Sequence, residues 1–258
     1  MPLWFADVVA LLALLVMSEV MFRVGRKSRR REDQHNKAQI SSAQASALGL
    51  LALMLGFTLS MAESRFNARR QINVQEANAV GTAYLRAAYL PDPYRAPARQ
   101  LLRDYVKSRR AFYSASNEEA PAATARTEEI QHALWDGIVA MTPKYLDSDV
   151  IALYIDAVNY MIDSSSARVV YVRARVPWTI TWMVLLIALA AVGITGYACG
   201  LGGGRVPVTV GLLPALIGLA LAVIADLDRS REGYIRTGDL PMRLLEKSME
   251  NEQAAQRP

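Results

Sequence analysis

The stretch that decides the fold is residues 43–62, AQASALGLLALMLGFTLSMA, which contains no charged residue. About twenty predominantly apolar residues in a helix are enough to cross the hydrocarbon core of a bilayer. Three further stretches have a similar length: residues 3–22, 176–199 and 206–225. Asp7 and Glu19 interrupt the first of these, whereas the other two are uncharged. The sequence therefore predicts four transmembrane helices.

Composition narrows the class of protein. Of the 258 residues, 52% are hydrophobic and 21% are charged, which is more apolar than an average soluble domain. The single cysteine, Cys199, excludes a disulfide scaffold, and the widely separated His35 and His132 argue against a metal site. No catalytic motif is recognisable, so we expect neither an enzyme nor a cofactor. The net charge of +5 is scattered over membrane flanks, which argues against nucleic-acid binding.

The region between the second and third spans, residues 63–175, is polar and has helical patterning. Apolar residues recur at helical spacing over residues 99–113 and 149–175, and Thr127 with two following acids is typical of a helix start. Residues 114–124 are predicted to form a loop. No Gly or Pro lies between Ser60 and Val80, so the second span should continue as one helix over about residues 41–90. The third span should likewise be continuous with the helix over residues 149–175 that precedes it, with a kink at Pro177.

The predicted fold class is an all-α membrane protein with four transmembrane helices, two on each side of a helical extramembrane domain. The first hairpin takes residues 1–62, with a basic loop at 23–42, and the extramembrane domain takes residues 63–175. The second hairpin follows at 176–225, and residues 226–258 form an amphipathic tail.

The basic loop predicts the orientation in the membrane. It contains seven basic residues: Arg23, Arg26, Lys27, Arg29, Arg30, Arg31 and Lys37. Because short basic loops stay in the cytoplasm, the N-terminus, the 63–175 domain and the tail are expected on the periplasmic side of a bacterial inner membrane. Arginines that flank the opposite membrane ends, such as Arg65, Arg175 and Arg229, oppose this orientation.

Three groups of residues resemble the bestrophin-like family of bacterial membrane proteins. The first is Phe57-Thr58-Leu59-Ser60, Arg65-Phe66-Asn67, Arg70 and the run from Glu76 to Ala83. The second is the run from Asn159 to Asp163, followed by Arg168, Pro177 and Trp178. The third is Asp226-Leu227-Asp228-Arg229 with Gly233, where this chain has Ser230-Arg231 in place of the Pro-Phe that members often have.

The resemblance covers nearly the whole chain and fits the arrangement of spans. It implies kinship with bestrophins, which are oligomeric ligand-gated or calcium-gated anion channels. The expected partners are then the lipid bilayer, further copies of this chain in a symmetric homo-oligomer, and small ions. No acidic loop with EF-hand spacing is present in the sequence.

Small and polar residues follow one face of the second helix. They recur at alternating spacings of four and three: Ser42, Ser46, Gly49, Leu53, Gly56, Ser60, Glu63, Asn67 and Arg70. Such a stripe lies along one side of a helix. One interpretation is helix–helix packing, because small residues let helices approach closely. The other is a pore wall that Leu53 constricts, and both hold if the stripe faces a symmetry axis.

Two further sets of polar residues flank the membrane. Glu76, Asn78 and Arg86 follow the second span, and Asn159, Asp163 and Arg168 precede the third. They are expected to form either a network between helices or an ion vestibule. Nearer the membrane, Glu19 and Arg23 are four residues apart, which predicts an ion pair.

Two functions remain open from the sequence. The first is an oligomeric ion channel of the bestrophin-like type, with a pore lined by the second helix and anions favoured by the family name. The second is a non-conducting membrane scaffold or sensor whose extramembrane domain binds a partner.

The orientation is tested by labelling introduced cysteines in intact cells. With Cys199 replaced, a cysteine at position 116 should react with a membrane-impermeant thiol reagent, because the 63–175 domain is expected outside. A cysteine at Asn36, in the basic loop, is the matched control and should be protected. Protection at 116 together with labelling at 36 would reverse the predicted orientation.

Overall fold

The computed structural model describes residues 4–29, 34–115, 119–145, 147–173, 175–203, 208–229, 233–235 and 237–255. Within these ranges the chain forms eight α-helices and no strand. The helices are α1 (Trp4–Ser28), α2 (Gln34–Ala87), α3 (Arg95–Ser114), α4 (Ala120–Met141), α5 (Asp149–Arg173), α6 (Trp178–Gly202), α7 (Leu213–Asp228) and α8 (Leu240–Ala255). A 3₁₀ turn at Thr142–Lys144 follows α4, and a π-helical turn at Val208–Leu212 precedes α7.

Four helices are long and apolar enough to cross a membrane. They are Phe5–Ser28, Asn36–Ala87, Trp178–Gly202 and Val210–Asp228, so the predicted all-α, four-span fold is confirmed. α2 runs for 54 residues without a break, which corresponds to about 80 Å at 1.5 Å per residue. The apolar stretch 43–62 therefore continues as one helix into the polar region, as the sequence predicted.

The chain divides into two compact units. The first, the membrane unit, contains residues 1–66 and 175–236; the second, the polar unit, contains residues 67–174 and 237–258. α2 contributes residues to both of them.

In the membrane unit, α1 and α6 approach until their backbones touch. A Cβ on Gly196 would lie 2.5 Å from the carbonyl oxygen of Ser18, and one on Gly200 would overlap that of Phe22. Leu14, Val184 and other apolar side chains fill the remaining space in this core. Small residues here serve the close helix packing that membrane proteins use.

The polar unit has a hydrophobic core of its own. Val80 of α2, Leu102 and Val106 of α3, Leu134 of α4 and Val158 of α5 are all buried in it. Each comes from the apolar stripe of an amphipathic helix, and burying these stripes stabilises the bundle.

The C-terminal helix α8 completes the polar unit. Met242 and Met249 are buried against its core. The ion pairs to α3 are Arg99 with Glu252 at 2.5 Å, and Arg110 with Glu246 and with Asp239, the last at 3.4 Å. The predicted tail, residues 226–258, is thus shared between the two units: residues up to 236 belong to the membrane unit and those from 237 onward to the polar unit.

Several helix boundaries differ from the predicted ones. α4 begins at Ala120, with Pro121 in its first turn, where the missing N–H of proline is harmless. Thr127 is therefore not a helix start but a buried residue whose hydroxyl contacts Ala123 O and Ser108 Oγ at 2.9 and 3.0 Å. The predicted loop at 114–124 is shorter for the same reason, and residues 116–118 lie outside the described ranges.

The predicted basic loop at 23–42 is also shorter. α1 continues to Ser28 and α2 starts at Gln34, because no glycine or proline follows Gly25 before the second span and most of these residues are good helix formers. Arg30 and Arg31 lie outside the described residues, as do residues 204–207 between the last two spans.

Pro177 separates two helices instead of kinking one. α5 ends at Arg173, and Pro177 has an extended ψ of 131° as the cap of α6. A residue that precedes proline disfavours the helical conformation, which explains the break at Val176. The Val176 N–H that the break leaves free donates to Asp228 Oδ1 at 2.8 Å.

Candidate functional site

The small and polar stripe of α2 is uncovered within the chain. In the membrane unit its members Ser42, Ser46, Gly49, Leu53, Gly56, Ser60 and Glu63 are all exposed. A Cβ placed on Gly49 or on Gly56 would meet nothing within 4 Å. The Ser46 hydroxyl donates only locally, to Ser42 O at 3.0 Å. No other described helix of this chain therefore packs on these two glycines.

Leu53 is the large side chain in the centre of this stripe. It is 52% exposed, whereas Leu51, two residues away on another face of α2, is 2% exposed and lies in the core of the membrane unit. Asn67 and Arg70 continue the same spacing on the part of α2 that belongs to the polar unit, and both are exposed.

A second group of interest is a buried charge cluster in the polar unit around Glu76. The Glu76 carboxylate accepts hydrogen bonds from Arg109 Nε at 2.7 Å, Arg109 Nη2 at 3.3 Å and the Tyr105 hydroxyl at 2.8 Å. Arg168 Nε lies 3.4 Å from Glu76 Oε2 and forms an ion pair with it, without the alignment of a hydrogen bond. The side chains of Glu76 and Arg109 are 0% exposed, and that of Arg168 is 4% exposed.

The cluster holds two guanidinium groups against one carboxylate. Burial lowers the pKa of Arg168, and repulsion from Arg109 lowers it further. Burial, the largest single effect, opposes the charge of Arg109, but the attraction of Glu76, Tyr105 and Tyr113 and the hydrogen bond to Glu76 together raise its pKa. Phe112 lies between them, with its ring centroid 5.0 Å from Arg109 Cζ and 4.7 Å from Arg168 Cζ, a geometry that favours cation–π attraction.

Two tyrosines respond to the same surroundings. Burial raises the pKa of Tyr105 well above its usual value, and the Glu76 carboxylate raises it further. Burial raises the pKa of Tyr113 to about 12. Both hydroxyls therefore stay protonated at neutral pH.

The structure brings only some of the predicted polar residues together. Glu76 and Arg168 meet, but Asn78, Asn159 and Asp163 are exposed. Arg86 lies elsewhere, because its Nη1 donates to Leu153 O at 2.6 Å and reaches Asp156 at 3.4 Å. The buried network around Glu76 therefore includes Arg168 but not Asn78, Asn159 or Asp163.

The main partners of Glu76 were not predicted from the sequence. Arg109 and Tyr105 come from α3, and they fall on the same stripe as Leu102 and Phe112, at spacings of three and four. An arginine at an apolar position of an amphipathic helix is a usable signal, because a charge on a buried face requires a partner.

The residues of the last motif connect chain segments within the membrane unit. The Asp226 carboxylate accepts the N–H groups of Tyr234 and Ile235 at 2.8 and 2.9 Å, and a Cβ on Gly233 would come within 2.7 Å of it. Arg229 binds Asp7 through two hydrogen bonds, at 2.8 and 3.2 Å. Together with the bond from Val176 N–H to Asp228, these contacts connect the end of α7 to α1, to the segment before α6 and to residues 233–235.

Two smaller points complete the geometry. The predicted ion pair of Glu19 with Arg23 is confirmed at 2.8 Å. Among the described residues, no group of three or more His, Cys, Asp or Glu side chains is placed to hold a metal ion.

These features define a helical membrane protein with four apolar helices long enough to span a bilayer, a polar unit with a buried charge cluster, and an uncovered face on α2. A family model described as a bestrophin-like domain matches residues 8–241. The chain therefore belongs to the bestrophin-like family, and the resemblance seen in its motifs is confirmed. No curated protein matches it in sequence.

Solved structures share its fold. A point variant of a bacterial bestrophin homologue from Klebsiella pneumoniae is similar with a TM-score of 0.64 and 15% identity, over 96% of this chain and 99% of that chain. The same homologue solved by zinc phasing gives a TM-score of 0.62 and 16% identity, over 97% and 99%. At this identity the likeness establishes the fold of the chain.

Replacing Glu76 with alanine should destabilise the purified protein strongly. The change leaves two buried guanidinium groups without their carboxylate, a loss that typically costs about 3–5 kcal/mol of the free energy of unfolding. Asp163→Ala removes an exposed carboxylate and is the control, with an expected change within about 0.5 kcal/mol. Thermal unfolding in detergent measures both, and equal melting temperatures for the two variants would contradict the assigned role of Glu76.

Proposed function

We propose that the protein is an oligomeric ion channel, with the α2 helices of several copies around a common axis. The observation that carries the proposal is the uncovered stripe from Ser42 to Ser60. Within the membrane unit, Gly25 of α1 and Gly196 and Gly200 of α6 lie against a neighbouring backbone, whereas a Cβ on Gly49 or Gly56 would meet nothing within 4 Å. The same residue type is thus used for packing within the chain at one place and left without a partner at the other.

Lipid is a poor neighbour for such a face. Hydrocarbon offers no hydrogen-bond partner to serine hydroxyls, and glycine, without a side chain, makes few van der Waals contacts with lipid tails. A symmetric assembly provides each copy with the same neighbour, and it places hydroxyl groups beside water if the axis is open. The kinship with bestrophins, which are ion channels, supports this assignment.

Leu53 is the proposed constriction. A ring of leucine side chains narrows a pore and gates it by dewetting, because water leaves a narrow apolar passage. Ser46 and Gly49 on one side of it, and Gly56 and Ser60 on the other, would line wider and more polar sections.

The charges near the end of the span carry both signs. Glu63 would attract cations, whereas Arg70, further along α2, would attract anions, and both are exposed. Arg69 is 1% exposed and so does not contribute to a pore mouth. Kinship with bestrophins is what favours anions. Asn78, Asn159 and Asp163 remain vestibule candidates because they are exposed, whereas the buried Glu76 and Arg168 do not.

The proposed location is a bacterial inner membrane, with the basic segment that follows Phe22 in the cytoplasm. The N-terminus, the polar unit and the C-terminus would then be periplasmic. This orientation rests on the density of arginine and lysine after Phe22.

A non-conducting scaffold or sensor is the second candidate function. It is favoured by large apolar side chains that the polar unit leaves exposed, among them Leu85 (61%), Tyr89 (73%) and Val139 (58%). Exposed apolar groups of this kind are typical of surfaces that bind another protein.

Replacing Leu53 with serine should raise ion flux through liposomes that contain the purified protein. The change removes the apolar barrier at the proposed constriction. Leu59→Ser is the matched control, because it makes the same change at another exposed residue of the same helix. At about 100° of rotation per residue, Leu59 lies roughly 120° from Leu53 about the helix axis. The flux of this control should equal that of the parent.

The two proposed functions give different results in this experiment. If liposomes with the parent and with Leu53→Ser are both as tight as empty ones, the channel proposal fails and the scaffold remains. If Leu59→Ser raises the flux as much as Leu53→Ser, then the stripe is not the pore wall.

A further inference from the structure

The buried cluster around Glu76 contains more positive than negative charge. Arg109 and Arg168 contribute two guanidinium groups, and their side chains are 0% and 4% exposed. Within the described part of the chain, Glu76 is the only carboxylate that forms an ion pair with either arginine. One carboxylate supplies at most one negative charge, so one positive charge remains uncompensated in the interior of the polar unit.

Titration within the cluster does not remove this excess charge. An arginine side chain keeps its proton in proteins. Tyr105 and Tyr113 would have to lose a proton to supply a negative charge, but burial raises the pKa of both hydroxyls. An uncompensated charge in a protein interior is costly, and burial together with repulsion from Arg109 lowers the pKa of Arg168. The cluster therefore needs a negative group that the described residues do not supply.

Three hydrogen-bond donors of the cluster also lack an acceptor. Arg109 uses Nε and Nη2 on Glu76, so its planar guanidinium directs Nη1 away from that carboxylate. Arg109 Nη1, Arg168 Nε and the Tyr113 hydroxyl are all buried, and none of them has a hydrogen-bond partner among the described residues. Both guanidinium groups act electrostatically on the Tyr113 hydroxyl, which places the three donors in one neighbourhood. Buried donors without an acceptor are unfavourable.

We propose that the cluster binds one small monovalent inorganic anion, such as chloride, which accepts hydrogen bonds from Arg109 Nη1 and the Tyr113 hydroxyl. A single negative charge balances two guanidinium groups and one carboxylate. A water molecule would accept the same hydrogen bonds but would leave the charge uncompensated. The burial of both arginines favours a small ion over a ligand with a larger body. The site consists of residues of the polar unit alone and does not depend on ion conduction.

The test compares chloride with gluconate at constant ionic strength, which keeps the screening of surface charges the same. Gluconate is too large for a closed interior site. The melting temperature of the purified full chain in detergent should rise with chloride concentration to a plateau, since a ligand that binds the folded state stabilises it. Chloride that survives dialysis into gluconate is measured by ion chromatography after denaturation, and a tightly bound ion should appear once per chain.

Arg168→Met distinguishes this site from a general effect of salt. The change removes the excess charge and leaves Glu76 paired with Arg109, so both the chloride response and any retained chloride should be lost. In protein freed of chloride, the variant should melt at or above the temperature of the parent, which a purely structural ion pair does not predict. Arg86→Met is the matched control, because Arg86 pairs with the exposed Asp156, and it should keep the chloride response.

Tyr113→Phe removes one donor and keeps the aromatic ring. The chloride concentration at the midpoint of the response should rise roughly 3–10-fold, as expected for the loss of one hydrogen bond to the ion. Tyr160→Phe, at a half-exposed tyrosine of α5, makes the same change outside the cluster and should leave the midpoint where it is in the parent.

Three results would overturn the proposal. A parent that neither responds to chloride nor releases any on denaturation has no such site, and water is then the partner of these donors. An equal chloride response in the parent and in Arg168→Met would place the ion elsewhere. An unchanged midpoint in Tyr113→Phe would contradict the assigned position of the ion. If Arg168→Met does not fold, the Tyr113→Phe comparison decides.

Discussion

A helix face of serine and glycine gains little from contact with lipid, so inside a membrane it needs another helix or water as its neighbour. This requirement determines how the membrane helices of the chain can be arranged. Gly25 of α1 and Gly196 and Gly200 of α6 lie against a neighbouring backbone, so α1 and α6 are in direct contact within the membrane unit. Within the described part of the chain, Gly49 and Gly56 of the α2 stripe meet no such partner, although Leu51 on another side of the same helix is buried. The proposed oligomer would cover this face, because symmetry supplies a partner to every copy with one kind of interface.

The polar unit depends on a different constraint, the burial of charge. Glu76 reaches the interior from α2 and binds Arg109 of α3 and Arg168 of α5, so a single carboxylate connects three helices. Buried charges add little net stability compared with an apolar core, but an unpaired one is costly. Such a cluster therefore fixes which helices can be neighbours and at which register. The apolar contacts of Val80, Leu102 and Val158 supply the larger part of the stabilisation.

The sequence predicted the elements that depend on local patterns. The four spans followed from stretches of about twenty apolar residues, and the length of α2 followed from the absence of Gly and Pro after Ser60. Glu19 and Arg23 met because a spacing of four is a neighbour relation on any helix. Boundaries were less predictable: Thr127 resembles a cap, but Pro121 starts the helix earlier, and Pro177 ends a helix that hydropathy alone would continue.

Contacts that join distant segments were beyond the sequence. Nothing local to Glu76 indicates that Arg109, 33 residues away, is its partner, or that Asp163 points to solvent. The motif around Asp226 was visible, but its use, to bind the N–H groups of Tyr234 and Ile235, required the folded chain.

The central claim, that the α2 stripes of several copies face one another, is tested most directly by cross-linking between copies. In a chain with Cys199 replaced, cysteine at Leu53 should be joined to its counterpart by a short bis-maleimide in native membranes. Covalent dimers should then appear on a denaturing gel, whereas cysteine at Leu59, on another side of the same helix, should give monomers. Monomers from the Leu53→Cys chain, or equal dimer yields from both positions, would contradict a symmetric arrangement around α2.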